Sequence, residues 1–382
     1  MEKNSVDPIQ LFRPHFHIDE SLNEIKECLE KGWTGLGFKT VEFENKWKDY
    51  TGFQFAHYLN SATAGLHLAV NIFKKKYQWK DGDEIITTPL TFVSTNHAIL
   101  YERLKPVFAD TDEYLCLDPK SVESKISNRT RAIMFVGIGG NTGRLAQIKE
   151  ICKKHKLILI LDAAHMAGTK WKADNQQVGL DADATIFSFQ AVKNLPSADS
   201  GMICFKEKEF DEEARKLSWL GIDKDTYSRF SDDAKYKWYY NVEDLGFKYH
   251  GNSVVASLCI VALKYLEEDN EYRRKISVWY DEDLKGLSTI HIVPISSDCI
   301  PSRHLYQILI HNRDDVMMKL NDLGIFPGVH YRDNTEYPIY GAVKGSCENA
   351  AESSNNLLSL PMHMGLKRED VRRIAETIKT LI

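Results

Sequence analysis

The 382-residue sequence contains no CxxC pair, and its seven cysteines are scattered along the chain. This spacing excludes a zinc knuckle, and the odd count does not indicate a disulfide framework. No apolar run approaches the length of a membrane-spanning helix, and the first ten residues, MEKNSVDPIQ, contain no apolar segment of a signal peptide. We therefore expect a reduced, cytoplasmic protein that has no membrane association.

An excess of basic charge is also absent, because the formal net charge is -5. This balance argues against nucleic acid or an anionic membrane as a partner. The thirteen histidines show no HExxH or comparable ligand spacing, so we expect no metal site. The segment VGIGGNTG resembles a dinucleotide-binding loop, but Thr142 occupies the third glycine position of GxGxxG. A nicotinamide-dependent oxidoreductase is therefore disfavoured.

From about Thr63 to Phe205 the sequence alternates short apolar runs with amphipathic stretches. This alternation predicts an α/β fold whose large domain has a mainly parallel sheet covered by helices. The predicted strands are 84–87, 106–108, 132–136, 157–161, 184–188 and 202–205. The predicted helices between them are 64–76, 95–103 and 145–155.

After about Lys206 the character of the sequence changes, and a charged, aromatic-rich stretch (206–249) leads to a predicted helix at 252–267. The remainder resembles a smaller α+β unit, in which IHIVPI and YQILIH are predicted strands and 315–323 and 368–381 predicted helices. We predict a large domain at 1–250 and a small C-terminal domain at 251–382, with the boundary near Gly251.

The segment FSFQAVKN places Lys193 shortly after a buried strand. Lysine is almost never fully buried without a partner. One use of such a lysine is a Schiff base, in which a lowered pKa leaves the amine nucleophilic. The alternative is a solvated lysine in a loop.

The run LILILD ends in Asp162, at the carboxyl end of a strand that is predicted to be buried on both faces. Ligands of open α/β sheets bind at these strand ends. Pyridoxal phosphate (PLP) acts as an electron sink only when its pyridine nitrogen is protonated, and a carboxylate paired with that nitrogen keeps it so. Asp162 and Lys193 together supply two parts of a PLP site, although Asp162 alone could equally cap a helix.

Two further segments could complete a PLP site. In YLNSATAGLHLAV, small polar residues from Asn60 to Thr63 lead into an amphipathic helix, whose free N–H groups and dipole favour a phosphate. Ser188 could add a hydroxyl from a neighbouring strand end, and Phe92 could stack on a pyridine ring. The alternatives are helix capping by Ser61 or Thr63 and core packing of Phe92.

Taken in this order, these segments resemble the DegT/StrS family of nucleotide-sugar aminotransferases, which has the aspartate-aminotransferase-like (type I PLP) fold. The resemblance runs from about Trp33 to Pro361. It includes the segments GWTGLGFKTVEFE, NSATAGLHLAV, GDEIITTPLTFVST, PVFADTD, LILDAAHMAG, FSFQAVKN, GFKYHGNSVVAS and SLPMHMGL. Each segment is weak alone, and the series of eight is specific.

The resemblance implies that pyridoxal 5'-phosphate is the cofactor and that pyridoxamine phosphate is its intermediate form. By position, Lys193 matches the Schiff-base lysine of the family. Asp162 matches the residue that pairs with the pyridine nitrogen, and His165 matches the polar residue near the cofactor's O3′.

The remaining cofactor contacts are implied in the same way. Thr63 and Ala64 match the helix-start amides that bind the phosphate, and Ser188 matches its hydroxyl ligand. Phe92 matches the aromatic residue stacked on the ring. Family members form a homodimer with shared active sites, and Lys248 lies in the segment that reaches the neighbouring subunit's phosphate, where many relatives have Asn.

The implied reaction moves an amino group from glutamate to the ketone of a nucleotide-linked keto-deoxysugar. Its product would be an amino sugar for a surface polysaccharide or a related glycoconjugate. The alternatives are a PLP-dependent sugar dehydratase, an aminotransferase acting on a non-nucleotide keto substrate, and a catalytically silent scaffold. A dehydratase branch has His where this chain has Lys193, so transamination is favoured.

Two segments depart from the family pattern. SADSG at 197–201 replaces a Gly-Glu-Gly-Gly-like stretch, and GIGG at 137–140 replaces a His-Leu-Tyr-Gly-like stretch. We expect both to lie near the substrate, so they leave the identity of the sugar open. By resemblance, a histidine at position 165 favours amination at C4 of the sugar.

Overall fold

The computed structural model describes residues 7–223 and 240–382. Within these ranges the helices are α1 (Ile18–Glu30), α2 (Phe38–Thr51), α3 (Ala62–Lys76), α4 (Val93–Tyr101), α5 (Pro119–Lys125), α6 (Leu145–His155), α7 (Lys208–Ser218), α8 (Ser253–Leu284), α9 (Arg313–Asp322), α10 (Glu348–Asn356) and α11 (Arg368–Leu381). The strands are β1 (Phe55–Leu59), β2 (Glu84–Thr87), β3 (Lys105–Phe108), β4 (Thr130–Val136), β5 (Ile158–Asp162), β6 (Lys170–Trp171), β7 (Ala184–Ser188), β8 (Gly201–Phe205), β9 (Ile290–Ile292), β10 (Cys299–Ile300), β11 (Tyr306–Ile310) and β12 (Leu357–Leu360).

The central sheet has seven strands in the order β1-β8-β7-β5-β4-β2-β3. Strands β3, β2, β4, β5 and β7 are parallel, which confirms the prediction of a mainly parallel sheet. Strand β8 is antiparallel to both β7 and β1. Because parallel strands end at one edge, the sheet brings the last residues of β4, β5 and β7 together.

Two smaller sheets complete the strand pairing of the described ranges, β10 with β6 and β12-β11-β9. The predicted strands at 84–87 and 184–188 and the predicted helices at 145–155 and 368–381 coincide with observed elements. The edge strand β1 and the helices α1 and α2 were not predicted. None of the helices in the described part of the chain is long and apolar enough to cross a bilayer.

The predicted helix at 252–267 was wrong in its length, because α8 continues to Leu284. The polar run EEDNEYRR interrupts the apolar pattern in the sequence. The buried stripe nevertheless continues through Ile276, Tyr280 and Leu284, at helical spacing. Packing at the far end therefore extends the helix through a segment whose own composition is polar.

Three hydrophobic clusters form the core. The first two cover the faces of the central sheet, and the third surrounds the β12-β11-β9 sheet. Helix α8 contributes Ile260 to the first cluster and Tyr280 to the third, and Ile9 from the start of the described chain also joins the third. The domain division near Gly251 stays a prediction, and part of the charged stretch that precedes it (224–239) lies outside the described residues.

Candidate active site

A cavity of about 470 Å³ opens at the carboxyl ends of the parallel strands, where Val136 ends β4, Asp162 ends β5 and Ser188 ends β7. Six of the residues expected from the sequence line it, namely Thr63, Phe92, Asp162, His165, Ser188 and Lys193. The fold therefore brings together side chains that are spread over 130 positions of the sequence.

The carboxylate of Asp162 is buried beneath this cavity, with the residue 4% exposed. Its Oδ2 accepts a hydrogen bond of 2.7 Å from Thr95 Oγ1, and its Oδ1 accepts one of 3.1 Å from the Ala164 amide. Burial raises the pKa of Asp162, and the two hydrogen bonds and the charge of Lys193 act against that rise. The site would therefore gain from a cation placed next to this carboxylate.

Lys193 enters the cavity from the loop that follows β7. Burial lowers the pKa of its amine to about 8, and the charge of Asp162 opposes the change only in part. No carboxylate of the described residues lies within ion-pair distance of Lys193. About half of the amine is therefore neutral at pH 8, and the neutral form is the one that can act as a nucleophile or a proton acceptor.

The start of α3 forms one end of the cavity. Ser61 caps the helix by accepting a hydrogen bond of 3.1 Å from the Ala64 amide, so the amides of Ala62 and Thr63 are left as open first-turn donors. Gly201 pairs with both Leu59 and Ser188 in the sheet. A Cβ at Gly201 would lie 2.5 Å from the amide nitrogen of Ala62, so the strand can approach the helix start only as glycine.

Phe92 precedes α4 and is 59% exposed, although it lines the cavity. Its ring centroid lies 6.1 Å from that of Tyr331, at an interplanar angle of 50°. A large exposed aromatic ring over a concave site is typical of a surface that a planar ligand covers.

His165 lies at the cavity wall with both ring nitrogens in hydrogen bonds. Nδ1 accepts a bond of 3.2 Å from the Gly139 amide, and Nε2 lies 3.2 Å from the hydroxyl of Tyr331. Burial and the nearby charge of Lys193 hold the pKa of His165 well below its ordinary value. The imidazole is therefore neutral, with its proton on Nε2.

Sequence reasoning missed the wall opposite the sheet, to which Phe12, His304, His330 and Tyr331 contribute. Phe12 stacks on His304 with centroids 5.2 Å apart and an angle of 8°. His304 Nδ1 lies 3.0 Å from Asn194 Oδ1. Burial lowers the pKa of His330 to about 4, with Lys193 contributing, so this wall is uncharged.

The signal for these residues was faint. The adjacent His330 and Tyr331 stand in a segment, GVHYRDN, that has neither helical nor strand periodicity. A pair of polar aromatic side chains in such a loop indicates a binding surface only in general terms.

Two of the expected residues do not line this cavity. Ala64 is buried, and its amide is used by Ser61. Lys248 is exposed and places its Nζ 3.4 Å from the ring centroid of Trp219. A role for Lys248 in a neighbouring subunit stays a prediction.

The glycine segment 137–140 packs behind His165 and does not itself line the cavity. Its proximity to the substrate stays a prediction. A Cβ at Gly137 would collide with Met166, and one at Gly140 would collide with Ser302. Gly139 adopts φ 63° and donates its amide to His165. The second departing segment does reach the cavity, through Asp199 and Ser200.

Comparison with known proteins relates the whole chain to one family. The model of the DegT/DnrJ/EryC1/StrS aminotransferase family matches residues 17–379. The chain is 31% identical to the spore coat polysaccharide biosynthesis protein SpsC of Bacillus subtilis over 375 residues, which cover 95% of this chain and 94% of that protein.

Two further relatives add a named activity and two cofactor states. A UDP-4-amino-4,6-dideoxy-N-acetyl-beta-L-altrosamine transaminase of Campylobacter jejuni is 30% identical over 379 residues, 96% of each chain. The sugar aminotransferase Spr1654 of Streptococcus pneumoniae, described as putative, has been solved in a PLP form and a PMP form. The PLP form matches with a TM-score of 0.89 at 26% identity, over 98% of this chain and 98% of that chain. The PMP form matches with a TM-score of 0.88 at 27% identity, over 98% of this chain and 97% of that chain.

Proposed function

This chain belongs to the DegT/DnrJ/EryC1/StrS aminotransferase family, and we propose that it aminates the ketone of a nucleotide-linked keto-deoxysugar with glutamate as donor. The chain is a PLP-dependent aminotransferase of the type I fold. The observation that carries the proposal is the convergence of Lys193 and Asp162 on one cavity at the strand ends.

The residues fit PLP at its ring. Asp162 is a buried carboxylate, and among the described residues its only nearby cation is Lys193, which acts at a distance. A protonated pyridine nitrogen would supply the missing counter-charge for the buried carboxylate. Phe92, which is exposed over the cavity, would cover the ring.

The residues fit PLP at its phosphate as well. The open amides of Ala62 and Thr63 and the hydroxyl of Ser188 converge where Gly201 lets the strand and helix meet. A dianionic phosphate is the ligand that a helix N-terminus favours. Asp162 and α3 therefore present the two ends of a site with the chemistry of this cofactor.

When bound, PLP supplies an electron sink for the charge that develops at the donor's α-carbon. Lys193 would hold the cofactor, and its free amine would take the donor's α-proton and return it to the neighbouring carbon. Asp162 would keep the ring nitrogen protonated. Phe12, His304 and His330 would give the substrate an uncharged wall on the opposite side of the cavity.

Support for the substrate class comes from the relatives. The Campylobacter jejuni relative is named for an amino sugar linked to UDP, and the Bacillus subtilis relative for polysaccharide biosynthesis. We infer that the present chain acts on a substrate of the same class and that its product enters a surface polysaccharide or a related glycoconjugate.

The test of this function is the visible absorption spectrum of the purified protein. We expect a yellow band with PLP that bleaches when glutamate is added and returns when a nucleotide-linked keto-sugar is added. A band that glutamate does not change would point to another donor or to dehydration. A protein that stays colourless after incubation with PLP would rule out the proposal.

We also infer a homodimer in which Lys248 reaches the phosphate of the neighbouring subunit. Lys248→Ala should then weaken PLP binding by about tenfold, the effect of one lost charge-assisted hydrogen bond. Mixing Lys193→Ala chains with Lys248→Ala chains should restore one full-affinity, active site per heterodimer. A purified heterodimer of one unsubstituted chain and one doubly substituted chain should keep only an impaired site. If a purified Lys193→Ala/Lys248→Ala heterodimer were no more active than this one, sharing would be contradicted.

A further inference from the structure

We propose that Tyr331 is a cofactor-contacting residue of this site, and that its hydroxyl donates a hydrogen bond to the phenolic oxygen, O3′, of bound PLP. The inference rests on the proposed function, because it adds a contact to the same site. It also reassigns the position near O3′, which the sequence resemblance gave to His165.

His165 cannot serve O3′ freely, because both of its nitrogens are in use. The Gly139 amide donates to Nδ1, so Nδ1 carries no proton. Nε2 must carry it and donate it to the Tyr331 hydroxyl oxygen, 3.2 Å away. The imidazole thus orients the tyrosine and fills one acceptor position on its oxygen.

The hydroxyl proton of Tyr331 is consequently available for another acceptor. Burial and the charge of Asp162 raise the pKa of Tyr331, so the hydroxyl stays protonated at any physiological pH. Gly139, His165 and Tyr331 form a chain of donors that begins at a backbone amide and ends at the cavity. Such a chain polarises its last member and favours a negatively charged acceptor.

The other residues proposed to hold the cofactor would place O3′ on the side of this hydroxyl. Asp162 would hold the ring nitrogen, Lys193 would hold the carbon opposite it, and Ser188 with the α3 start would hold the phosphate on one side of that carbon. O3′ lies on the other side of the same carbon. Ser188 and the α3 start lie on the β7–β8 side of Asp162 in the sheet. The Tyr331 hydroxyl lies on the β4 side, because it contacts His165, which in turn accepts from Gly139 after β4.

Several ionisable groups share the cavity and must be considered in a pH titration. They are Asp162, His165, Lys193, Asp199, His304 and His330. Burial holds the pKa of His304 well below its ordinary value and lowers that of His330 to about 4, so neither titrates near neutral pH. The visible band reports the protonation of the nitrogen that Lys193 shares with the cofactor. It therefore distinguishes this group, which lies next to O3′, from the other ionisable groups of the cavity.

The experiment titrates the visible band of PLP-loaded protein without substrate. Tyr331→Phe should raise the midpoint by about one pH unit, because without the donor O3′ holds more negative charge and retains the neighbouring proton. Site-specific 3-fluorotyrosine at position 331, whose hydroxyl is a stronger donor, should lower the midpoint. Tyr337→Phe, a nearby tyrosine outside the cavity, should leave it unchanged.

The outcomes separate this inference from the proposed function. A normal PLP band with a midpoint unmoved in both position-331 variants would overturn the contact and leave the aminotransferase intact. A shift of equal size in Tyr337→Phe would also overturn it, since the effect would then be structural. A protein that takes up no PLP would overturn the proposed function together with the contact.

Discussion

Two lysines of this molecule, the buried Lys39 and the half-buried Lys193, behave in opposite ways. The side chain of Lys39, at the start of α2, is 4% exposed and lies within 3.1 Å of carboxylates of Glu24, Glu27 and Glu42. Lys193, at the strand-end cavity, has no carboxylate partner within ion-pair distance among the described residues. Burial therefore does not decide the charge of a lysine, and its partners do.

The pKa values follow from this difference. At Lys39 burial lowers the pKa, but hydrogen bonds to the three glutamates outweigh it and raise the pKa above its usual value. At Lys193 burial dominates and lowers the pKa to about 8. One amine is a fixed cation that joins α1 to α2, and the other is available for covalent chemistry.

Removal of the reactive lysine should give the largest effect. Lys193→Ala should lower the transaminase rate by at least about 10³-fold, because both the attachment of the cofactor and the proton transfer are lost. Steady-state assays with glutamate would measure it, and circular dichroism would check that the variant is folded. Near-normal turnover would end the assignment of Lys193.

The second prediction uses pH to separate the two amines. The rate at which cofactor-free protein captures PLP should rise with pH and level off above a midpoint near 8, as the Lys193 amine loses its proton. Stopped-flow absorbance would measure it. A midpoint near the ordinary lysine value would show that the cavity does not perturb this amine.

The same shift has a consequence for stability. The folded pKa of Lys193 is below the unfolded value, so between about pH 8 and 10.5 the unfolded chain binds the extra proton and stability should rise with pH. Lys39, with a raised pKa, should contribute stability unchanged over that window. Urea titrations of the cofactor-free variants would measure it. The increase in the free energy of unfolding with pH should be lost in Lys193→Met and kept in Lys39→Met.

The smallest effect should come from the structural lysine. Lys39→Met keeps the aliphatic stem and removes the charge, so the free energy of unfolding should fall by about 1 kcal/mol, since its glutamate partners remain partly solvated. Activity per folded molecule should not change. An activity loss comparable to that of Lys193→Ala would contradict the contrast between the two sites.

The part of the site on the central sheet could be predicted from the sequence, because its residues follow recognisable strands. Asp162 and Ser188 end buried apolar runs, and Lys193 follows one of them. Parallel strands end at a common edge, so their terminal residues must meet. The order of these segments also identified the fold.

The opposite wall could not be predicted in this way. Phe12, His304 and Tyr331 come from three distant segments, and their arrival at the cavity depends on how α8 and the small sheet pack. No local pattern encodes such packing. The same reason explains the error in the length of α8, whose last turns are stabilised by tertiary contacts and not by their own composition.

Helix α8 also sets the relative position of the sheet wall of the cavity and the wall opposite it. Its 32 residues span about 48 Å as one rigid element. One residue inserted at its middle would turn the remainder by about 100° and carry Ile276 and Tyr280 out of the third cluster. The size of the cavity can therefore change through the loop at 197–200, whereas an insertion at the middle of α8 would disrupt the third cluster and the small sheet that it surrounds.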